Sequence, residues 1–376
     1  MGKLFGFNKN DKKVTPRMNN KVIALIFFGD LKYCPYLNRY TERLDLLDKK
    51  YEVLFWNRSG DKLVLPDNYF YYEEKSDLTK NKFNKFFDFV KARNWFIKRL
   101  EKTKPDKVIF LSTLSAIFLA DYIINSKIKY ILDIRDYSYE NIKIFAFLEK
   151  KLIKNSCFTA ISSEGYINFL PKHNYIIAHN FNRADLLHKK KYNKNKNIPV
   201  RILFNGVIRF FNWQKQYLDA LKNDNRFKLI YYGEGPELEL YKNYSKLNNI
   251  LNIEFKGPYE NKNKHLILNE ADIINNTYGN IYNITKTKYA ISNRFYDGLI
   301  FHIPQLVEPD GFKTSLILKN RIGTNLSVNP NFANELYDYY MNIDENKFDN
   351  DCNNALEKIL LEDIRYIEQI DNFINN

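Results

Sequence analysis

The chain has little of what marks a secreted, membrane-spanning or nucleic-acid-binding protein. Its 3 cysteines in 376 residues, Cys34, Cys157 and Cys352, are odd in number and far apart. That excludes a disulfide framework or a Cys-x-x-Cys metal knuckle and fits a reducing cytosol. Long apolar runs are absent: the longest, from Val22 to Phe28 and from Val108 to Ala120, are too short to cross a bilayer. Met1 to Lys13 contains no apolar core, so no secretory signal is expected. There is no short-period internal repeat. No RNP-type, zinc or helix-turn-helix pattern occurs, so nucleic acid is not an expected partner.

What is present points to a folded, anion-seeking protein. Hydrophobic residues at 45% and aromatics at 16% exclude a disordered chain. The length favours two domains, each able to bury its own core. A net charge of +14 suggests an anionic partner: nucleotide phosphates, an acidic membrane face or, without a motif to support it, nucleic acid. The sequence is crowded with Lys, Asn, Ile, Tyr and Phe, as a genomic bias toward such residues produces, and that bias is the alternative source of the excess of lysine.

Val22 to Phe28 is a continuous apolar run, as a buried parallel strand requires. Strand and helix patterns then alternate: helix Leu37–Leu47, strand Val53–Trp56, helix Phe83–Leu100, strand Lys107–Leu111, helix Leu114–Ile124, strand Tyr130–Ile134, helix Ile142–Lys154 and strand Phe158–Ile161. Such alternation predicts a doubly wound parallel sheet. Arg183 to Asn197, rich in Lys and Asn and nearly free of apolar anchors, reads as a linker. From Val200 the alternation restarts, and the tail from Asn331 reads as amphipathic helices. The expected division is 1–182, a linker 183–199, a second domain 200–360, and a helix 361–376 returning to the first domain.

The most informative stretch is Asn293 to Gly311, read as a helix start, a turn at His302–Pro304 and a short buried strand. A helix N-terminus presents unpaired N–H groups and partial positive charge, which suit a phosphate. Asp297, about one turn in, is placed to accept two hydrogen bonds from a ribose diol. The alternative is an ordinary helix–strand unit with a solvated Arg294 and Asp297. Glycines follow several strands of the second half: Gly206, Gly233, Gly235 and Gly257. At the carboxyl edge of a parallel sheet such glycines either make turns or let a ligand approach the backbone. Arg209 and Lys215 are candidate diphosphate cations, or solvated helix-start residues.

Gly206-Val-Ile-Arg209, Tyr232-Gly-Glu-Gly235, Phe255-Lys-Gly-Pro-Tyr259, Ala271-Asp-Ile273 and Asn293-Arg-Phe-Tyr-Asp297 with Pro304 occur in the order found in GT-B glycosyltransferases. With Asp133-Ile-Arg-Asp136, Ser162 and His179-Asn180 in the first half, residues 20–370 resemble family 4 retaining enzymes of capsule and exopolysaccharide synthesis. The resemblance implies a GT-B fold: two facing Rossmann-like domains with parallel sheets. A C-terminal helix would return to the first domain. It implies a UDP- or GDP-sugar donor on the second domain, a glycan or lipid-linked oligosaccharide acceptor on the first, and no cofactor or metal.

By position, Arg209 and Lys215 would bind the diphosphate, Asp297 would replace the family's ribose-binding Glu, and Gly29 would abut the sugar–phosphate. The family's acidic residue seven positions earlier is missing, with Ala290 in its place. Lys286 and Lys288 lie in a loop able to cover the donor. Gly235 and Tyr259 would meet the base. Asn276 and Tyr278 would meet the sugar, with Asn293 and Arg294 beside it. Asp136 or His179 would orient the acceptor hydroxyl, or Asp136 would form a loop-fixing ion pair with Arg135 and His179 would be structural. Asp349-Asn350-Asp351 resembles a metal-binding Asp-x-Asp but has no strand before it. The aromatic, Lys-rich segment Asn81–Leu100 fits either a core helix or one resting on anionic lipid. A non-catalytic GT-B-like subunit and transfer to a protein acceptor are the alternative functions.

Overall fold

The continuous apolar runs become inner strands of two parallel sheets, because a strand covered on both faces has no use for a polar side. The structure is a computed structural model that describes residues 22–74, 82–279 and 287–376, without the side chains of 82–86. The first sheet contains β1 (Ile23–Phe27), β2 (Tyr51–Asn57), β3 (Tyr69–Glu73), β4 (Lys107–Phe110), β5 (Lys129–Ile134), β6 (Thr159–Ile161) and β7 (Tyr175–Ile177). Its order is β3-β2-β1-β4-β5-β6-β7, with every pairing parallel and Ile23 level with both Tyr51 and Lys107.

The second sheet contains β8 (Val200–Asn205), β9 (Phe227–Tyr232), β10 (Ile253–Gly257), β11 (Ile273–Asn275), β12 (Gln305–Leu306) and β13 (Gly323–Thr324). Its order is β10-β9-β8-β11-β12-β13, again all parallel. The strand order reverses beside β1 in one sheet and beside β8 in the other. At such a switch point the connections leave in opposite directions and open a crevice at the strand carboxyl ends.

Two edge strands were not expected: Tyr69–Glu73, an aromatic run without alternation, and the two-residue Gly323–Thr324. The helix expected over Leu114–Ile124 is interrupted at Leu119 into Thr113–Phe118 and Ala120–Asn125. Ser112 caps the first piece by accepting a hydrogen bond from the Ser115 amide at 3.2 Å.

The linker is pinned rather than loose. The Tyr192 amide donates to Asp349 Oδ1 at 2.8 Å, and the Asn195 amide donates to the Tyr340 hydroxyl at 2.9 Å. A single helix, Glu345–Asn375 (31 residues), ties the two halves together. Phe348, Cys352 and Leu356 enter the second domain's core, while Tyr366, Ile370 and Phe373 enter the first. Each such buried side chain contributes roughly 1.5–3 kcal/mol.

The aromatic helix Lys82–Thr103 lays its described apolar face inward. Phe96 lies 4.5 Å from Phe28, and Phe89 stacks on Phe118 at 4.6 Å and packs edge-on against Trp56. The Lys91 ammonium pairs with Glu74 at 2.9 Å. Of the two readings open for this helix, the part from Phe87 to Thr103 packs as a core helix. Lys82, Lys85, Phe83 and Phe86 lie outside the described side chains.

Candidate active site

The site grows from the carboxyl ends of β8, β11 and β12. β8 ends at Asn205, and Gly206 follows with φ +119° and no atom within 4 Å of where a Cβ would stand. Only glycine adopts that backbone easily, and its open side faces space a ligand can enter. Gly233 has a different reason: a Cβ there would stand 1.9 Å from the Gly206 carbonyl oxygen. A Cβ on Gly235 would likewise stand 2.1 Å from the Ile208 carbonyl oxygen. These two glycines allow the loops after β8 and β9 to pack on each other.

Asp297 lies in the helix Asn293–Ile300, whose start is capped by Ser292. Its carboxylate is buried. Oδ1 lies 2.7 Å from the Lys264 ammonium, and Oδ2 accepts from Asn205 Nδ2 at 3.0 Å. Lys264 also meets Asp185 at 2.5 Å. Burial pulls the Lys264 pKa down, but the Asp297 and Asp185 carboxylates outweigh it and hold it above the ordinary value. The Tyr259 hydroxyl is 3.3 Å from Asn205 Nδ2, and burial raises its pKa. A cavity of about 360 Å³ opens over this group between the domains, reached also by Arg39, His179, Asn180 and Asn293.

A second group sits at the other side of the same helix start. Arg294 is buried, donates to the Asn275 carbonyl at 3.1 Å and lies 4.0 Å over the Phe204 ring. Burial lowers its pKa; Tyr278 and Glu308 oppose that, and nearby Arg209 adds to it. Lys313 is also buried, 3.1 Å from Glu308 and 4.1 Å over the Tyr278 ring, and its ammonium donates to the Asn276 carbonyl. Burial brings its pKa down to about 8 against the pull of Glu308. Lys313 alone is paired with the buried Glu308, which also accepts from the Tyr278 amide at 3.0 Å, and Arg294 feels that carboxylate only through its field. Positive charge left over at a helix start favours an anion.

The remaining expected residues fall as follows. Arg209 is exposed, its guanidinium 4.8 Å over Phe210, and is the solvent-side member of the second group. Lys215 is exposed over the Tyr244 ring at 5.0 Å. Its neighbour Gln214 turns inward instead, bonding Thr277 Oγ1 at 2.6 Å and Asn275 at 2.9 Å. Asn276 is spent on protein partners: Gln305 at 2.8 Å, Ser292 at 2.6 Å and Lys313. Asn293 accepts from Asn180 at 2.8 Å across the two domains. Gly29 is buried after β1, where a Cβ would stand 3.0 Å from the Phe27 ring.

Asp136 is exposed at the carboxyl end of β5. Its neighbour Arg135 bridges to Asp133 at 2.6 Å. His179 is buried with both ring nitrogens engaged, Nδ1 with the Tyr296 hydroxyl at 3.0 Å and Nε2 with Glu362 at 2.7 Å. Lys288 is paired loosely with Asp310 at 3.6 Å, while Lys286 and the loop before it lie outside the described residues. Both carboxylates of Asp349-Asn350-Asp351 are occupied, Asp349 by His302 at 2.5 Å and Asp351 by Arg321 at 2.6 Å. Among the described residues no cluster of His, Cys, Asp and Glu is arranged to hold a metal ion, and no helix is long and apolar enough to cross a membrane.

Sequence reasoning passed over Asn205, Lys264, Glu308 and Lys313. Asn205 and Glu308 carried a signal, a polar residue at the end of a buried strand. Lys264 carried none, being one lysine in a polar stretch.

The chain folds as GT-B glycosyltransferases do. It superposes on sucrose-phosphate synthase from Thermosynechococcus elongatus with a TM-score of 0.65 at 11% identity, covering 94% of this chain and 95% of that one. A glycosyltransferase from Rickettsia africae gives 0.65 at 12% identity over 95% and 100%. Anabaena Alr3699/HepE, a structure in complex with UDP, gives 0.63 at 11% identity over 94% and 100%. No protein-family model matches the sequence, and no curated protein matches it.

Proposed function

We propose that this chain is a retaining glycosyltransferase that moves a sugar from a UDP- or GDP-sugar to a glycan acceptor carried on a lipid, in surface-polysaccharide synthesis. The carrying observation is the pairing, at one switch point, of a buried carboxylate facing the interdomain cavity with a buried group of excess positive charge. Asp297 takes the ribose diol. Arg294, Lys313 and the solvent-side Arg209 take the diphosphate, whose negative charge grows as the sugar bond breaks. UDP in complex with Anabaena Alr3699/HepE supports a nucleotide donor on this fold.

On the first domain, exposed Asp136 orients the acceptor hydroxyl at the facing sheet edge. His179, locked between Tyr296 and Glu362, acts as a positioning residue across the domain boundary. The positive group supplies leaving-group stabilisation from side chains, so the reaction proceeds in EDTA. A non-catalytic subunit is the second reading, favoured by the two Asp297 contacts already made to Lys264 and Asn205.

The deciding test is thermal stabilisation by UDP, GDP, CMP and ADP, with and without EDTA, on wild type and Asp297→Ala. An EDTA-insensitive shift for one nucleotide, lost in the variant, supports the enzyme. No shift with any nucleotide favours the non-catalytic subunit.

A further inference from the structure

Beyond β5 the chain turns through Tyr139 into the helix Lys143–Asn155, and this connection leaves apolar side chains in water. Tyr139 is 51% exposed, Ile142 46%, Ile144 64% and Phe147 63%. The same helix buries Phe145, Leu152 and Ile153 on its other side. Its packing requirement is therefore met; Tyr139 packs edge-on against Phe145 at 5.8 Å, while Ile142, Ile144 and Phe147 stay largely in water. Exposed apolar residues elsewhere stand singly, as Leu187 does, or in pairs such as Leu247 and Leu251, as is usual on protein surfaces. Four large ones within nine positions of one connection are a patch.

Along the helix the exposed charge has one sign, while Glu140, half-buried in the connection before it, accepts from the Ser138 amide at 2.6 Å. At 100° per residue Ile144, Phe147 and Lys151 share a side of the helix, flanked by Lys143, Lys150 and Lys154. All four lysines are exposed. The helix's one carboxyl, Glu149, is buried on the inner side, where burial, with Glu140 nearby, raises its pKa to about 8. No carboxylate of the helix reaches the outer face. Apolar side chains flanked along one side by lysines, whose long stems let the ammonium stay at the water boundary, match an anionic lipid interface.

We propose that the outer face of the Lys143–Asn155 helix, with Tyr139 and Ile142, docks the protein on an anionic membrane surface. The lysines meet lipid phosphates while Ile144 and Phe147 enter the headgroup–acyl boundary. Asp136 lies in the same connection, at the carboxyl end of β5. Docking here sets the acceptor side of the cleft against the membrane. This use of the contact rests on the proposed transfer to a lipid-carried acceptor; the contact itself is tested separately.

The experiment is co-sedimentation of the full chain with vesicles of phosphatidylcholine alone and with one third phosphatidylglycerol. It is run on wild type, Ile144→Ser/Phe147→Ser and Lys150→Glu/Lys151→Glu, with thermal unfolding confirming that each variant folds. Wild type should bind the anionic vesicles, weaken as salt rises, and bind neutral vesicles poorly. Each lysine near an anionic leaflet is worth roughly fivefold in binding, so the double charge reversal should weaken it at least twentyfold. The serine pair should weaken it at least tenfold through lost apolar contact. The charge pair is exposed and tests the surface even if the serine pair fails to fold.

Anionic-vesicle binding unchanged by either folded variant overturns the proposal. So does a concentration-dependent dimer abolished by the same substitutions, which would make this face a contact between two copies. Nucleotide-induced thermal stabilisation, measured in parallel, reports on the donor site. Its retention with loss of vesicle binding leaves the glycosyltransferase reading standing, and its absence with vesicle binding intact overturns that reading alone.

Discussion

The Lys264 ammonium lies 2.7 Å from Asp297 Oδ1 and 2.5 Å from Asp185 Oδ2, so one half-buried cation bridges two buried carboxylates at the floor of the interdomain cavity. Asp185 comes from the segment leaving the first domain, Lys264 from the short helix after β10, and Asp297 from the helix after β11. The ion group is thus a joint between the halves as well as part of the candidate ribose site. Removing the cation leaves two carboxylates facing each other in low dielectric. Lys264→Met should destabilise the fold by about 3–5 kcal/mol, read as a lowered urea midpoint. A midpoint within error of wild type would mean that water already screens the pair. Asp297→Asn keeps the shape but loses the charge. It should weaken nucleotide binding about tenfold or more, the scale of a lost hydrogen bond to a charged group.

Lys313 gives the second group a pH dependence of definite sign. Its folded pKa is about 8, against 10.5 for the ordinary side chain. Between those values the unfolded chain binds the proton and the folded chain does not. This residue's contribution to stability therefore rises with pH across that window and is least favourable below pH 8. Ligand binding runs the other way, since the charged ammonium is the form that holds a diphosphate. Nucleotide affinity should fall roughly tenfold from pH 7 to pH 9, and Lys313→Met should flatten the profile and lower the pH 7 affinity. Titration calorimetry at the two pH values checks both. A wild-type affinity that is flat, or that rises with pH, places the phosphate away from Lys313.

Much of this fold was legible because both sheets are buried on both faces. Val22–Phe28 and Lys107–Leu111 could be read as strands from apolar continuity alone. Tyr69–Glu73 could not, because an edge strand half-open to water loses that signature. Within the site, Asp297 and Arg294 were visible from their place at a helix start. Lys215 shows the limit of spacing arguments. A helix turns 100° per residue, so one position separates the outward Lys215 from Gln214, which points into the sheet edge. Lys264, Glu308 and Lys313 acquire meaning only from partners distant in sequence, and no local pattern announces an ion group assembled by the fold.

Arg209 separates catalysis from stability. It is exposed and makes no described ion pair, so Arg209→Ala should change stability by less than about 0.5 kcal/mol. As the solvent-side cation of the positive group it would face charge growing on the leaving diphosphate. Its loss should lower turnover by about 100- to 1,000-fold, as removal of one preorganised donor does elsewhere. The wild-type rate should persist in excess EDTA. Loss of activity in EDTA, restored by a divalent ion, would contradict leaving-group stabilisation by side chains alone.

Glu149 provides a test that touches neither site chemistry nor acceptor. Burial, with Glu140 nearby, raises its pKa from 4.5 to about 8. The folded chain keeps a proton that the unfolded chain releases near pH 4.5. The favourable contribution of the neutral carboxyl is therefore fully present below about pH 4.5 and is lost as pH rises through 8. Glu149→Gln keeps a neutral group of the same shape at every pH. The variant should match wild type near pH 4.5 and exceed it at pH 9 by about 2–5 kcal/mol. Urea unfolding at pH 5, 7 and 9 gives the comparison directly. A stability difference independent of pH would mean that the Glu149 carboxyl is hydrated, and that the inner side of the Lys143–Asn155 helix is not the dry surface its packed apolar residues indicate.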